Sequence, residues 1–346
     1  MNALQTAWRQ ALETAQKTGR RAVRMAQTTG RRAAEAAKTT GRHAVVKRAK
    51  RLASAAFHYL VLLSLSYVFL FPLFYMLSKS MMQTWDVADA TVQWIPKKLD
   101  FANYAAAFRA LNYWQGFANS VIEAVGSGLL QMVSCAIVGY GFARYRFPGH
   151  GLFLSLVVFT FLVPPQSIVV PLFIFFSDLG WIDTHLPFMV PSLFGHGLKG
   201  ALFVLIFIQF FRRMPGVLEE AARIDGAGAL RTFWAIMFPL ARPAMLVVFL
   251  FSFVWHWNDI FEPSLYLRVP TYYNLAQRMA VFFGDANLAM QQMAMQTSAD
   301  VIGVAPTTMN QMMAAMVLTV LPILLVYLVL QRYFVESVER TGIAGE

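Results

Sequence analysis

The sequence has 346 residues, 58% of them hydrophobic and 14% charged, with a mean hydropathy of +0.51 and a formal net charge of +11. Soluble globular domains carry about 25% charged residues, so this composition excludes an ordinary soluble domain and points to a membrane protein. The lone cysteine, Cys135, excludes disulfides within the chain, gives no zinc signature and reads as a small apolar packing residue.

Residues 1–51 hold 13 lysines or arginines against Glu13 and Glu35, whereas the rest of the chain balances 16 basic residues against 16 acidic ones. Residues 1–52 form a basic N-terminal extension in which Thr-Gly-Arg recurs at 18, 29 and 40, in register with Arg9, Arg20, Arg31 and Arg42. A period of 11 keeps equivalent positions near one helical face, which draws an arginine stripe. The stripe is either a solvated or surface-lying arm or a contact for anionic lipid or the ribosome; no nucleic-acid partner is expected. Gly19, Gly30 and Gly41 weaken the helix, and the opposite face offers Ala and Thr, which insert poorly into lipid. The first apolar run begins only after this arm and is long enough to span, so it is expected to stay as an anchor rather than be cleaved as a signal peptide.

Crossing the roughly 30 Å hydrocarbon layer takes about 20 apolar residues as helix, because a lipid-facing backbone must satisfy its own hydrogen bonds. Six stretches qualify: 55–78, 117–141, 151–176, 187–211, 244–266 and 312–331. They predict an all-α membrane protein in which residues 53–346 form a domain of six transmembrane helices. Arg144 and Arg146, then Arg212, Arg213, Arg223, Arg231 and Arg242, then Arg332 and Arg340 fall on one side, and the alternate loops are mixed in sign. By the excess of lysine and arginine in short inner loops, both termini are cytoplasmic. Pro164, Pro165 and Pro171 are expected to break the third span. Gly195-His196-Gly197-Leu198-Lys199-Gly200 matches GxGxxG but has no preceding strand, so it reads as close helix packing rather than a dinucleotide loop.

Between the fourth and fifth spans, Glu219 to Pro243 interrupts the apolar pattern on the inner side. Pro215 suits a first helical position, Gly226 a left-handed helix end, and Pro239 with Pro243 a stop before the next span, so the segment reads as two short helices. Leu218, Ala221, Ala222 and Asp225 fall at helical spacing and are expected to share a small face, with Glu219, Arg223 and Arg231 wet.

Glu220-Ala221-Ala222, then Asp225-Gly226-Ala227, then Ile236-x-x-Pro239-Leu240 resembles the EAA loop of binding-protein-dependent permeases. WIPKKLDFANYAAAF at 94–108, YGFARYRFPG at 140–149, VPPQSIVVPLF at 163–173 and WNDIFEPSLYL at 257–267 resemble landmarks of that family's maltose-type, sugar-importing branch. The resemblance covers roughly residues 53–345; the N-terminal repeat lies outside it, and the outer loop from Arg268 to Asn310 is longer than usual, with AMQQMAMQ at 289–296. It implies a permease subunit of an ATP-binding-cassette importer in a bacterial cytoplasmic membrane. Glu220, Ala221, Ala222, Asp225, Gly226 and Ala227 would form the coupling helix that seats in a separate ATPase. The implied partners are a second homologous permease subunit, two ATPase subunits and an extracytoplasmic solute-binding protein, which with the second permease would set the choice of sugar. No GxxxxGK[ST] occurs, so the chain has no P-loop of its own; no catalytic residue, cofactor or metal is expected on it.

Ionisable and polar groups within spans are costly and generally face a cavity or another subunit. Lys199 either snorkels outward, pairs within the assembly or touches substrate. Trp255, Trp257, Asn258 and Asp259 combine the aromatic faces and polar groups that bind sugars, yet tryptophan near a span end is equally an interfacial anchor, and a gating role fits as well. Gln166, beside the prolines of the third span, is structural or lines the pathway. The competing class is a secondary transporter or channel that works alone. It would need a paired ion site, and Glu123, Asp259 and Glu262 give no obvious pair. An enzyme is disfavoured, because His58, His196 and His256 are scattered over different spans.

Overall fold

The computed structural model describes residues 50–284 and 308–343, except positions 90 and 198, together with positions 19, 24, 25 and 47. The eleven-residue repeat and the Met- and Gln-rich stretch 289–296 therefore lie outside the described residues. The chain divides into two units, Met1–Leu73 and Phe74–Glu346. In the first, residues 51–72 are an exposed apolar helix in which Ser64 Oγ donates to the Leu60 carbonyl at 2.8 Å and His58 Nδ1 lies 2.6 Å from the Ser54 carbonyl oxygen.

The described elements are helical, without a strand among them. Helix α1 (Lys50–Ser80) leads to the short α2 (Thr84–Ala88) and to α3 (Ala102–Ala110). Between α2 and α3, Lys97 Nζ meets Asp89 Oδ2 at 2.6 Å, and that hydrogen bond holds the Asp89 carboxyl well below the usual carboxylate range. Next, α4 (Tyr113–Val121), a π turn (Ile122–Gly126) and α5 (Ser127–Arg144) form one continuous rod of 32 residues, longer than the expected 117–141. Beyond it come α6 (His150–Leu162), α7 (Pro165–Asp178), α8 (Leu186–Leu193) and α9 (Gly200–Arg213). A polar connection carries α10 (Val217–Ile224), α11 (Ala229–Thr232), a second π turn (Phe233–Met237) and α12 (Phe238–Leu240). The chain closes with α13 (Arg242–Asn258), α14 (Phe261–Tyr266), α15 (275–284) and α16 (Met309–Ile343).

Three helices are long and apolar enough to cross a membrane unaided, Lys50–Ser80, Tyr113–Arg144 and Met309–Arg332. Three bent pairs raise the figure to as many as six by length and composition. The proline break expected in the third apolar stretch is there at Pro164 and Pro165, where α6 and α7 meet at 100°, whereas Pro171, expected to join it, lies inside α7. Val163 and Pro164 each precede a proline and are pushed to extended backbone (ψ 122° and 132°), which ends one helix and leaves Pro165 to start the next.

Two stretches depart from continuous spans. The fourth, 187–211, is split: α8 stops at Leu193, and Gly195, Gly197 and Lys199 take φ values of 72°, 84° and 61° before α9 starts. The glycines of the GxGxxG match thus serve a backbone break as well as close packing. A Cβ on Gly200 would sit 2.5 Å from the Gly195 carbonyl oxygen, and one on Gly197 would sit 3.1 Å from Ser192 Oγ. The fifth, 244–266, ends as a helix at Asn258; Asp259 is extended, and its Oδ1 accepts from the Phe261 N–H at 3.0 Å to start α14.

The core is built around α5, which packs on α8, α9 and α13. Phe203, Phe207 and Phe211 line one face of α9 at i, i+4, i+8 and are fully buried with Cys135, Ala136 and Val248. Small residues on α5 make room for them: a Cβ on Gly139 would lie 2.5 Å from Phe207 Cβ. Gly139→Ala is therefore expected to overpack the α5–α9 seam and lower stability by about 1–3 kcal/mol, read as a lowered unfolding temperature in detergent. A second cluster, with Ala107 and Leu111 of α3 against Ala314 and Ala315 of α16, ties the last helix to the segment after α1. There Asn103 Nδ2 donates to the Met82 carbonyl at 2.9 Å, and Asn310 donates to the same oxygen.

Candidate functional site: a docking knob and a broken helix

At the end of α9 the chain turns through 76° into α10. Met214, placed before Pro215, is extended (ψ 141°), so the turn is dictated locally. Eight residues later α10 closes on its own backbone. Gly226 takes φ 77°, its N–H donates to the Arg223 carbonyl at 3.0 Å, and the Ala227 N–H reaches the Ala222 carbonyl at 2.9 Å. This is the double bond pattern by which a left-handed glycine ends a helix, as expected of Gly226.

The faces of α10 are only partly those anticipated: Arg223 is exposed as expected, and so is Arg231 beyond the helix. Glu219, expected to be wet, is buried with Ala222, while Leu218, Ala221 and Asp225 are exposed. A partner carried by another helix explains the inversion. Arg144, the last residue of α5, places Nε 3.2 Å from Glu219 Oε1 and donates from Nη2 to the Met214 carbonyl at 2.6 Å. One guanidinium thus braces the locally set bend and pairs with the inner face of the helix. A cleft of about 160 Å³ lies beside the pair, lined by Tyr140, Tyr145, Arg223 and Thr232 among others. The outward face carries Val217 (68% exposed), Ile224 (86%) and Leu230 (76%), flanked by exposed Glu220, Ala221, Asp225 and Gly226. Exposed aliphatic side chains next to carboxylates at the end of the bend have the chemistry that protein-docking surfaces use. Sequence reasoning counted Arg144 only as an inner-loop charge. The available signal was two adjacent glutamates on a helix, of which one must face inward and needs a cation.

The residues singled out within spans separate into groups. Lys199 Nζ lies 5.8 Å from the Trp255 ring centroid, and Trp255 stacks on Phe251 with centroids 5.8 Å apart. Trp257, two residues on, points into the core: it is 2% exposed and its Nε1 donates to the Thr319 carbonyl at 3.2 Å. Asn258 Nδ2 returns to the Val254 carbonyl at 2.9 Å, Asp259 caps α14, and Gln166 is exposed in the first turn of α7. Glu123 is held by an amide and an imidazole: Asn274 Nδ2 donates to its Oε2 at 2.8 Å, and His185 Nδ1 lies 3.5 Å from Oε1. His196 and His256 form no cluster of rings: Gln131 reaches the first only at its backbone carbonyl and the second only through Ser252. The Gln131 side chain donates to the His196 carbonyl at 2.9 Å and accepts from Ser252 Oγ at 2.7 Å, and Ser252 Oγ lies 3.2 Å from His256 Nδ1.

Residues 134–340 match the family described as binding-protein-dependent transport system inner membrane component. The chain is 32% identical to the diacetylchitobiose uptake system permease protein NgcG of Streptomyces coelicolor, over 83% of this chain and 88% of that protein. It is 28% identical to the melibiose/raffinose/stachyose import permease protein MelC of Bacillus subtilis (74% and 86%) and 30% identical to the sn-glycerol-3-phosphate transport system permease protein UgpE of Yersinia pestis (63% and 70%). In fold it is similar to a chain of a bacterial ABC transporter that imports the acidic polysaccharide alginate, with a TM-score of 0.67 at 22% identity, covering 81% of this chain and 96% of that one. The chain belongs to the family of inner membrane components of binding-protein-dependent transport systems.

Proposed function

We propose that this chain is one membrane-spanning half of an ATP-binding-cassette importer that carries a carbohydrate, an oligosaccharide, across a bacterial cytoplasmic membrane. Residues 53–346 form the permease domain, with six spans and both termini cytoplasmic, and residues 1–52 a basic arm beside the lipid. The chain works with a second homologous permease, two ATPase subunits that supply ATP and magnesium, and an extracytoplasmic solute-binding protein; it binds no cofactor of its own. The observation that carries the reading is the α10 knob, a rigid helix with its aliphatic face unpartnered and its inner face bolted to α5. Closure of the ATPases on Glu220, Ala221, Ala222, Asp225, Gly226 and Ala227 would push on α5 and α9 together and rock the spans between inward and outward openings. The relatives named for disaccharide and oligosaccharide import support carbohydrate as the cargo. Gln166, Lys199, Trp255, Asn258 and Asp259 are the candidates for the pathway, whereas Trp257 packs in the core.

Gly226→Asp tests the coupling role. It sets a charged side chain on a φ of 77°, at a strain of roughly 1–2 kcal/mol, where nothing in the chain itself crowds it. Ala221→Asp, on an exposed position, adds charge to the same surface without strain. Both variants are expected to insert normally and to lose ATPase co-purification and sugar uptake by about tenfold or more. Retention of both properties by both variants refutes the coupling role. Ion-driven uptake by the purified chain alone, without ATP, refutes the importer.

A further inference from the structure

We infer that the turn between α8 and α9 is a ligand station in the translocation path for a sugar bearing an anionic group, a carboxylate or a phosphate, gripped by Lys199 and His196 beside Trp255. This inference rests on the importer reading above. It starts from depth. The 14 residues of α9 put its first residue roughly 20 Å from Arg213, in a hydrocarbon layer about 30 Å thick. Lys199 immediately precedes α9, is exposed on the surface of this chain, and has no ion pair among the described residues. An ammonium group at that depth does not face lipid; it faces a water-filled path or another subunit.

The backbone around it gives a second, separate observation. Non-helical chain at membrane depth is tolerated where it is braced by protein and lines a cavity. Here bracing comes directly from α5, which is itself held by α13. Ser134 Oγ of α5 donates to the Ser192 carbonyl at 2.7 Å, and Gln131 Nε2 of α5 donates to the His196 carbonyl at 2.9 Å. Gln131 is itself fully buried and held from α13 by Ser252 Oγ at 2.7 Å. A turn of no functional use would not need buried amide and hydroxyl groups from a neighbouring helix to hold one geometry, when an uninterrupted helix satisfies the same backbone for nothing.

The exposed side of that turn supplies the chemistry. His196 Nδ1 accepts the Gly197 N–H at 2.6 Å, which leaves the ring proton on Nε2 as a donor at the surface. Lys199 Nζ adds a positive charge above Trp255, whose ring is backed by Phe251 and Phe203. A cation over an aromatic ring and an imidazole N–H donor, with no carboxylate hydrogen-bonded to either among the described residues, suit an acidic or phosphorylated sugar.

The test uses the complete transporter in vesicles, with the second permease, the ATPases and the binding protein. Paired uptake is measured for uncharged oligosaccharides and for ones carrying uronate or phosphate groups, in wild type, Lys199→Gln and Lys199→Arg. The expected result is wild-type uptake of the acidic sugar, a fall of about tenfold or more in the acidic-to-neutral ratio for Lys199→Gln, and recovery of the ratio in Lys199→Arg. An unchanged ratio in Lys199→Gln overturns the inference, as does a wild type that carries uncharged sugars alone. Failure of Lys199→Gln to co-purify with the second permease also overturns it, because the lysine then pairs with a subunit rather than with cargo. Uptake of no carbohydrate of either kind removes the importer reading as well, which separates the two failures.

Discussion

Arg144→Met is expected to cost about 3–5 kcal/mol and to uncouple the knob, because it strands the Glu219 carboxylate in a site where the two side chains are only 14% and 10% exposed. The same change takes the donor from the Met214 carbonyl, so the bend at Pro215 loses its brace together with the face of α10. The readouts are the unfolding temperature of the purified complex and the amount of ATPase that co-purifies; both should fall. Glu219→Gln keeps a polar partner for the guanidinium and should fall less. The double variant Arg144→Met with Glu219→Met replaces the ion pair by apolar groups of similar size and should recover most of the stability lost by Arg144→Met alone. Additive losses in the double variant, or no loss in Arg144→Met, would mean that the pair does not hold α10 in place.

The second large effect is expected at Gly200. A Cβ there would meet the Gly195 carbonyl oxygen at 2.5 Å and carbon at 3.1 Å, both backbone atoms that have no rotamer to escape into, and Gln131 Nε2 at 3.4 Å. Gly200→Val must therefore open the turn, which separates the His196 carbonyl from its amide partner in a region where an unsatisfied peptide group costs several kcal/mol. The expected result is poor accumulation of folded protein and rapid loss of the complex in detergent. By contrast, Gly141→Ala, at a glycine of α5 with open space around it, should be well tolerated and serves as the control. Equal accumulation of the two variants would show that the turn yields easily.

What the sequence revealed follows a physical division. Features governed by local sterics were legible. Prolines at 164 and 165 announced the break between α6 and α7, Gly226 announced a left-handed helix end, and Cys135 announced a packing position. Features governed by partners far along the chain were not. Hydropathy averaged over a window sees Leu193, Phe194 and Leu202 to Phe207 as one apolar run and misses the turn between them, because the groups that stabilise it, Gln131, Ser134 and Ser252, lie about 60 residues away in either direction. The same blindness put Glu219 on the wet face. An amphipathic reading ranks a glutamate by its own polarity, whereas its place is set by an arginine 75 positions earlier. For the coupling segment, the residues that resemble the family motif were readable; the residue that bolts them to the core was not.

The way α10 ends has a consequence for interchange between related transporters. Its tip is closed by two backbone bonds made within residues 222–227, so its shape is portable. A graft of residues 217–227 onto another permease would bring its own geometry and one external demand, an arginine at the end of the preceding long helix to meet Glu219. On the proposed coupling role, a host that supplies that arginine is expected to accept the segment as a plug that changes its motor; in a host that does not, the plug arrives correctly shaped and points the wrong way.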